Sequence, residues 1–236
     1  MYNKEVLKNI LFKVSAIIPA AGSGSRFGGK KQFKNLNGEP LWAHTLKPFI
    51  QSSLIDEIIF IIEESLINVI KESTRFKQFV EEKEIKITKG GARRMDSVLN
   101  GIQVSKKMND IVCIHDVARP FISESLINKT IEACEIFDGA ILAVPSVDTI
   151  KNVNNGIIKT TLDRSQTWMA QTPQTFHKDC LLKAYSENIN VNVTDESTLM
   201  ELSGFSIKLI IGDNNNFKIT KKIDWELAKI TAKENK

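Results

Sequence analysis

A chain of 236 residues, 42% apolar and 25% charged, is long enough for one large α/β domain with a full core. Its formal net charge of +4, with Lys and Arg spread along the chain, excludes a strong electrostatic case for nucleic acid or an anionic membrane, yet suits anionic substrates. Three cysteines, Cys113, Cys134 and Cys180, have no CxxC spacing and sit in apolar or helical surroundings, so they read as buried free thiols in a reducing cytoplasm.

Residues 1–12 read as an N-terminal extension without legible chemistry, and residues 13–236 as a single domain. Lys13 interrupts the apolar run that starts at Ile10, and the run continues into a glycine loop rather than a cleavage site, which argues against a signal peptide. No stretch has the length to span a bilayer. Val14–Ala20 is a β-rich run that ends in glycines. Pro40–Gln51 is helix-like, with Leu41, Thr45 and Phe49 on one face, and Glu57–Ile62 is an apolar run suited to a strand covered on both faces. A helix over Leu66–Glu81, a strand at Ile85–Thr88, a helix over Met95–Ser105 and a buried strand at Ile111–His115 follow. A helix over Glu124–Phe137 and a strand at Ala140–Pro145 continue the alternation. This order predicts an α/β fold, a doubly wound, mostly parallel Rossmann-like sheet with ligands at the carboxyl ends of its strands.

Thr149–Asp163 breaks the rhythm as a hairpin around Asn154-Asn155-Gly156 and has few core-sized residues, so an arm of about 148–166 should project from the body. Asn188–Val193 reads as a loop before another helix. Ile207–Ile211 is a last strand, and a final helix starts near Lys222.

Five segments can carry chemistry. Ala20-Ala21-Gly22-Ser23-Gly24-Ser25-Arg26-Phe27-Gly28-Gly29-Lys30-Lys31-Gln32 follows the first strand, and its glycines let backbone amides approach an anion. Its third glycine comes one position late for a dinucleotide fingerprint, and no G-K-[ST] closes a Walker A loop. Those features, with the cations Arg26, Lys30 and Lys31, favour a triphosphate over a redox dinucleotide, against the plainer reading of a strand-to-helix loop. His115-Asp116-Val117-Ala118-Arg119-Pro120 puts a carboxylate at the end of a buried strand, where Asp116 could hold Mg²⁺ or cap a turn with Arg119 as its ion-pair partner. Gly90-Gly91 leading to Ser97 offers free backbone donors or simply a capped loop. Arg164, beyond the arm, could clamp a phosphate, and Lys218 emerges from a polar loop; taken alone, each reads as solvated.

In this order PAAGSGSRFG, KKQF, HDVARPF, AVPSVDTIK, TLDRSQTWMAQTPQTF, TDEST and FKIT resemble the 2-C-methyl-D-erythritol 4-phosphate cytidylyltransferase family of the non-mevalonate isoprenoid pathway, over nearly all of Val14–Ala228. Ribitol-5-phosphate cytidylyltransferases are the alternative. They share the loop and QTPQ, but usually show AGG in the loop and lack the combination seen here as Asp163-Arg164, Trp168 and Thr194-Asp195-Glu196.

The resemblance implies transfer of CMP from CTP to a sugar-alcohol phosphate with release of pyrophosphate. It implies that Arg26 and Lys31 stabilise charge on the α-phosphate and that Arg164 and Lys218 position the sugar phosphate. Thr149 would contact that phosphate across a homodimer interface made by the arm. Asp116 would hold Mg²⁺, while Ala20, Ala21, Gly22, Gly24, Gly90, Ser97 and Arg119 would serve the nucleotide. The chain departs from the family at Asn215, where an acidic residue is common and Asp213 is the nearest carboxylate, and at Ala92, which is often polar or acidic.

Overall fold

The computed structural model describes residues 12–234 apart from 190 and 192, so the extension over 1–12 lies outside the described residues but for Phe12. The elements that build the body are β1 (Val14–Pro19), the short pair β2 (Asn35–Leu36) and β3 (Glu39–Pro40), α1 (Leu41–Gln51), β4 (Glu57–Ile62), α2 (Ile67–Glu72), α3 (Thr74–Glu82), β5 (Ile85–Lys89) and α4 (Arg94–Val104). They continue as β6 (Ile111–Ile114), α5 (Glu124–Glu132), β7 (Gly139–Pro145), β8 (Lys151–Asn154), β9 (Ile157–Thr161), β10 (Trp168–His177), α6 (Lys178–Glu187), α7 (Glu196–Leu202), β11 (Ile207–Ile211) and α8 (Lys222–Glu234).

Seven strands form one sheet in the order β11-β7-β10-β6-β1-β4-β5. All pairings are parallel except those of β10, which runs antiparallel between β6 and β7. Each central strand is buried on both faces. Val14, Ala16 and Ile18 of β1 join Trp42, Phe49, Phe60 and Phe79 on one side, and Ile17 joins Val98, Ile102 and Ile114 on the other. Because successive side chains alternate between faces, an unbroken apolar run is what such a strand requires. The chain lays down β1, β4 and β5 outward in one direction and then returns to place β6 on the opposite side of β1. That reversal opens a crevice beyond the carboxyl ends of β1 and β6.

Besides α6, a helix the sequence reading did not assign, the structure departs from the expected elements in two places. The helix expected over Leu66–Glu81 is two helices, because Ser73 is extended and its hydroxyl accepts the Phe76 amide as the cap of α3. The segment from Trp168 is a ten-residue strand, although Gln171, Thr172, Gln174 and Thr175 are buried polar residues. Its pairing with β7 shifts register between Ala170 and Gln174, around the cis Thr172–Pro173 bond. The arm is present as β8 and β9, which pair only with each other, every residue exposed. Asn155 (φ 49°) and Gly156 (φ 78°) supply the two left-handed positions of its turn.

Candidate active site

A cleft of about 480 Å³ lies at the crevice between β1 and β6, walled by the glycine loop on one side and the start of α4 on the other. The loop is built to hold its cations still. Gly24 has φ 68°, and a Cβ there would lie 2.1 Å from the Gly29 carbonyl oxygen, so no side chain fits. The Gly28 and Gly29 amides both donate to the Gly24 carbonyl (3.1 and 3.2 Å), folding the loop on itself. Buried Gln32 donates from Nε2 to the carbonyls of Ala20 (2.8 Å) and Gly22 (2.9 Å), and Phe27 packs edge-on against Trp225 of α8. Arg26 and Lys31 line the cleft, whereas Lys30 pairs with Glu63 at 2.5 Å. Burial, then the like charges of Lys218 and Arg26, push the Lys31 pKa below that of an ordinary lysine. Cations crowded this way attract an anion strongly.

The opposite wall differs from its sequence reading. Gly90 donates its amide to the Ile62 carbonyl (2.9 Å) and Gly91 donates to Ser97 Oγ (3.0 Å), so neither is a free donor. These glycines matter for space: a Cβ on Gly90 would sit 2.3 Å from Ala21 Cβ. Ala20, Ala21, Gly22, Gly24 and Ser97 line the cleft, and Gly90 backs directly on two of them.

Asp116, just past β6, is the hub. Its Oδ1 accepts from Arg94 Nε (2.8 Å) and its Oδ2 from Lys218 Nζ (2.5 Å). Burial alone would raise its pKa, but the Arg94 and Lys218 charges outweigh that and hold the carboxyl well below the usual range. The Asp116 amide donates to Thr172 Oγ1 (3.1 Å), whose hydroxyl lies 3.0 Å from His115 Nδ1. His115 Nε2 lies 3.0 Å from the Arg119 carbonyl. Burial pushes the His115 pKa down to about 4, so the ring is neutral at pH 7; Nε2 donates and Nδ1 accepts. His115 is a buried, packed neighbour of the site.

Arg26, Lys31, Asp116 and Lys218 therefore share one cleft although they come from three distant stretches of chain. Arg119 is not the side-chain partner of Asp116. Its guanidinium donates to the carbonyls of Asn216 (2.7 Å) and Ala170 (3.3 Å), stitching β10 to the loop that presents Lys218. Arg164 and Thr149 sit by the arm outside this cleft, and Arg164 Nη1 donates to the Val147 carbonyl at 3.4 Å. Sequence reasoning missed Arg94, which lines the cleft, and did not connect Glu196 to it. Arg94 follows closely on the Gly90-Gly91 pair, but no spacing rule links it to Asp116 or to Glu196, 102 residues away.

Among the described residues no cluster of three or more His, Cys, Asp or Glu side chains is arranged to hold a metal. Asp213 does not supply a second carboxylate to the cleft; its Oδ1 accepts the Asn215 amide (2.8 Å). Each Asp116 oxygen has one protein donor and so keeps a lone pair. A single carboxylate suits Mg²⁺ when nucleotide phosphates complete the shell, so the residues fit an ion that arrives with its triphosphate.

Fixed cations opposite a buried carboxylate, at the switch point of a doubly wound sheet, suit binding a nucleoside triphosphate and exchanging its phosphate partners. The class these features define is an α/β nucleotidyltransferase. A family profile described as "IspD: 2-C-methyl-D-erythritol 4-phosphate cytidylyltransferase" matches residues 14–234. The chain is 38% identical over 227 residues to the enzyme of that name from Syntrophus aciditrophicus, covering 94% of this chain and 97% of that one. It is 41% identical over 224 residues to a bifunctional IspD/IspF enzyme from Desulfotalea psychrophila, covering 94% of this chain but 57% of that one. The solved 4-diphosphocytidyl-2C-methyl-D-erythritol synthase of Anaerococcus prevotii superposes with a TM-score of 0.82 at 30% identity, over 94% of this chain and 99% of the other. The chain belongs to the 2-C-methyl-D-erythritol 4-phosphate cytidylyltransferase family, and it is a cytidylyltransferase. The ribitol-phosphate alternative is not favoured.

Proposed function

We propose that the chain transfers CMP from CTP to 2-C-methyl-D-erythritol 4-phosphate through the residues gathered in this cleft. One observation carries the site assignment: Arg26, Lys31, Lys218 and Asp116 meet at the carboxyl ends of β1 and β6. In the reaction a phosphate oxygen of the sugar alcohol forms a bond to the α-phosphorus of CTP as the bond to the β-phosphate oxygen breaks and pyrophosphate leaves. The attacking oxygen is already anionic at neutral pH, so positioning and charge stabilisation do the work, without a general base or covalent intermediate. Arg26 and Lys31 balance charge on the α-phosphate, and Lys218, held by Asp116, steers the incoming phosphate. Asp116, together with the triphosphate, would hold Mg²⁺, which would offset part of the charge on the phosphates. Ala20, Ala21, Gly22, Gly24, Gly90 and Ser97 shape a slot for the pyrimidine and ribose, and Arg119 keeps its far edge in register.

Arg164 and Thr149 belong to this reading through a homodimer. The arm exposes Val153, Ile157 and Ile158, apolar side chains that a partner's body would cover, and a partner's arm would bring its own copies of Arg164 and Thr149 to the sugar phosphate. Residues 13–236 are read as one domain, preceded by an extension, and the location as cytoplasmic. Among the described residues no helix is long and apolar enough to cross a membrane. The test is incubation with CTP, Mg²⁺ and 2-C-methyl-D-erythritol 4-phosphate, with ribitol 5-phosphate in parallel. Pyrophosphate release with the first acceptor alone is expected; release with ribitol 5-phosphate alone would overturn the acceptor assignment.

A further inference from the structure

Glu196 has no role in the reaction described above, yet it is placed with unusual care. It opens α7 and is 1% exposed. Its two oxygens accept from Arg94 Nη1 at 2.8 and 2.7 Å, and Tyr185 OH lies 3.3 Å from Oε1. The turn that carries it is pinned as well. Asp195 Oδ2 accepts from Gln174 Nε2 of β10 (2.8 Å), Gln174 Oε1 accepts the Ser197 amide (3.2 Å), and Asp195 Oδ1 accepts from Thr198 Oγ1 (2.7 Å). A buried ion pair of this kind gives little net stability, because desolvation of both charges offsets their attraction. What it supplies is a fixed position.

That position propagates. The same guanidinium whose Nη1 is held by Glu196 donates from Nε to Asp116 Oδ1, and Asp116 Oδ2 in turn holds Lys218. Arginine and a carboxylate prefer a two-pronged fork. Freed from Glu196, Arg94 could swing to engage both oxygens of Asp116, competing with Lys218 for Oδ2. Glu196 thus restricts Arg94 to one oxygen of Asp116 and leaves the other to Lys218.

We propose that Glu196 is a positioning residue for the transfer, acting through Arg94 and Asp116 to set where the Lys218 ammonium meets the incoming phosphate. The inference rests on the function proposed above. The test is a double-mutant cycle of Glu196→Gln with Lys218→Ala, reading kcat and KM for pyrophosphate release, with thermal unfolding of each variant. Glu196→Gln is expected to lower kcat by about 10²-fold, the cost of a misplaced reacting group, with KM for CTP moving less than about threefold. In the Lys218→Ala background the same change should cost less than about threefold, because the pair is coupled. Glu196→Asp, which keeps the charge, should recover part of kcat.

Equal costs of Glu196→Gln in both backgrounds, or an effect confined to KM, would overturn the proposal. If Glu196→Gln does not fold, the cycle is run with Glu196→Asp; if neither folds, the residue is structural and the proposal fails. Wild-type enzyme inactive on 2-C-methyl-D-erythritol 4-phosphate would instead overturn the function on which the inference rests.

Discussion

Replacing Lys31 with alanine should separate catalysis from stability, and the structure gives both signs. Lys31 is a half-buried cation whose charged form is disfavoured first by burial and then by Lys218 and Arg26, before any anion arrives. Removing it relieves that repulsion. Against this stands its contact with the Phe27 ring, 5.8 Å from Nζ to the centroid, a cation–π interaction of about 0.5–1 kcal/mol. The two effects oppose each other, so the unfolding midpoint should move by no more than about 4 °C. Activity has no such compensation. A preorganised donor aimed at charge that develops in the transition state contributes about 3–4 kcal/mol, so kcat should fall about 10²–10³-fold. Pyrophosphate release at saturating CTP and sugar phosphate, beside thermal unfolding of the same preparation, reads both quantities. Turnover within about threefold of wild type would refute the assignment, as would a midpoint drop large enough to explain the lost activity by unfolding.

Gly24→Ala should weaken CTP binding at least about tenfold while the body stays folded, since its Cβ meets the Gly29 carbonyl and a left-handed alanine costs about 1–2 kcal/mol; calorimetric titration with CTP checks this. Glu57, buried at the opposite end of the sheet, tests linkage. Burial raises its pKa, but hydrogen bonds from Lys86, the Lys106 amide and Ser15 bring it below the ordinary value of 4.5. The folded state therefore prefers the carboxylate, whose contribution is full above about 4.5 and lost as pH falls through the lower folded value. Glu57→Gln should cost about 2 kcal/mol in urea unfolding at neutral pH, and the gap from wild type should close on acidification below about pH 4. Burial pushes the Cys113 and Cys134 thiols up to about 12, so a chromogenic disulfide reagent should leave both unmodified in the folded enzyme, with Cys180 the first to react.

Arg26, Lys31 and Asp116 were legible because each belongs to the segment that follows a strand whose apolar run is unmistakable, and strand ends in a doubly wound sheet face one crevice. The arm was legible from Asn155-Gly156, a local turn signal. The strand at Trp168–His177 was not, because four of its six buried positions are glutamines and threonines. Periodicity scores these as surface, whereas here Gln171 donates to the Asp213 carbonyl, Gln174 to Asp195, and the Thr175 and Thr130 hydroxyls lie 2.8 Å apart.

Local chemistry along the chain thus determined the order of elements, the glycine-rich loop and the strand-end carboxylate, since those depend on neighbours a few residues away. Tertiary structure alone decided which side chains hold that carboxylate. Lys218 lies 102 residues beyond Asp116, and Glu196 lies 102 beyond Arg94. It also decided that Lys30 leaves the cleft for Glu63 while Lys31, its neighbour, stays. The physical reason is that a charge's partner is set by distance in space and by the water removed around it, and a linear sequence records neither.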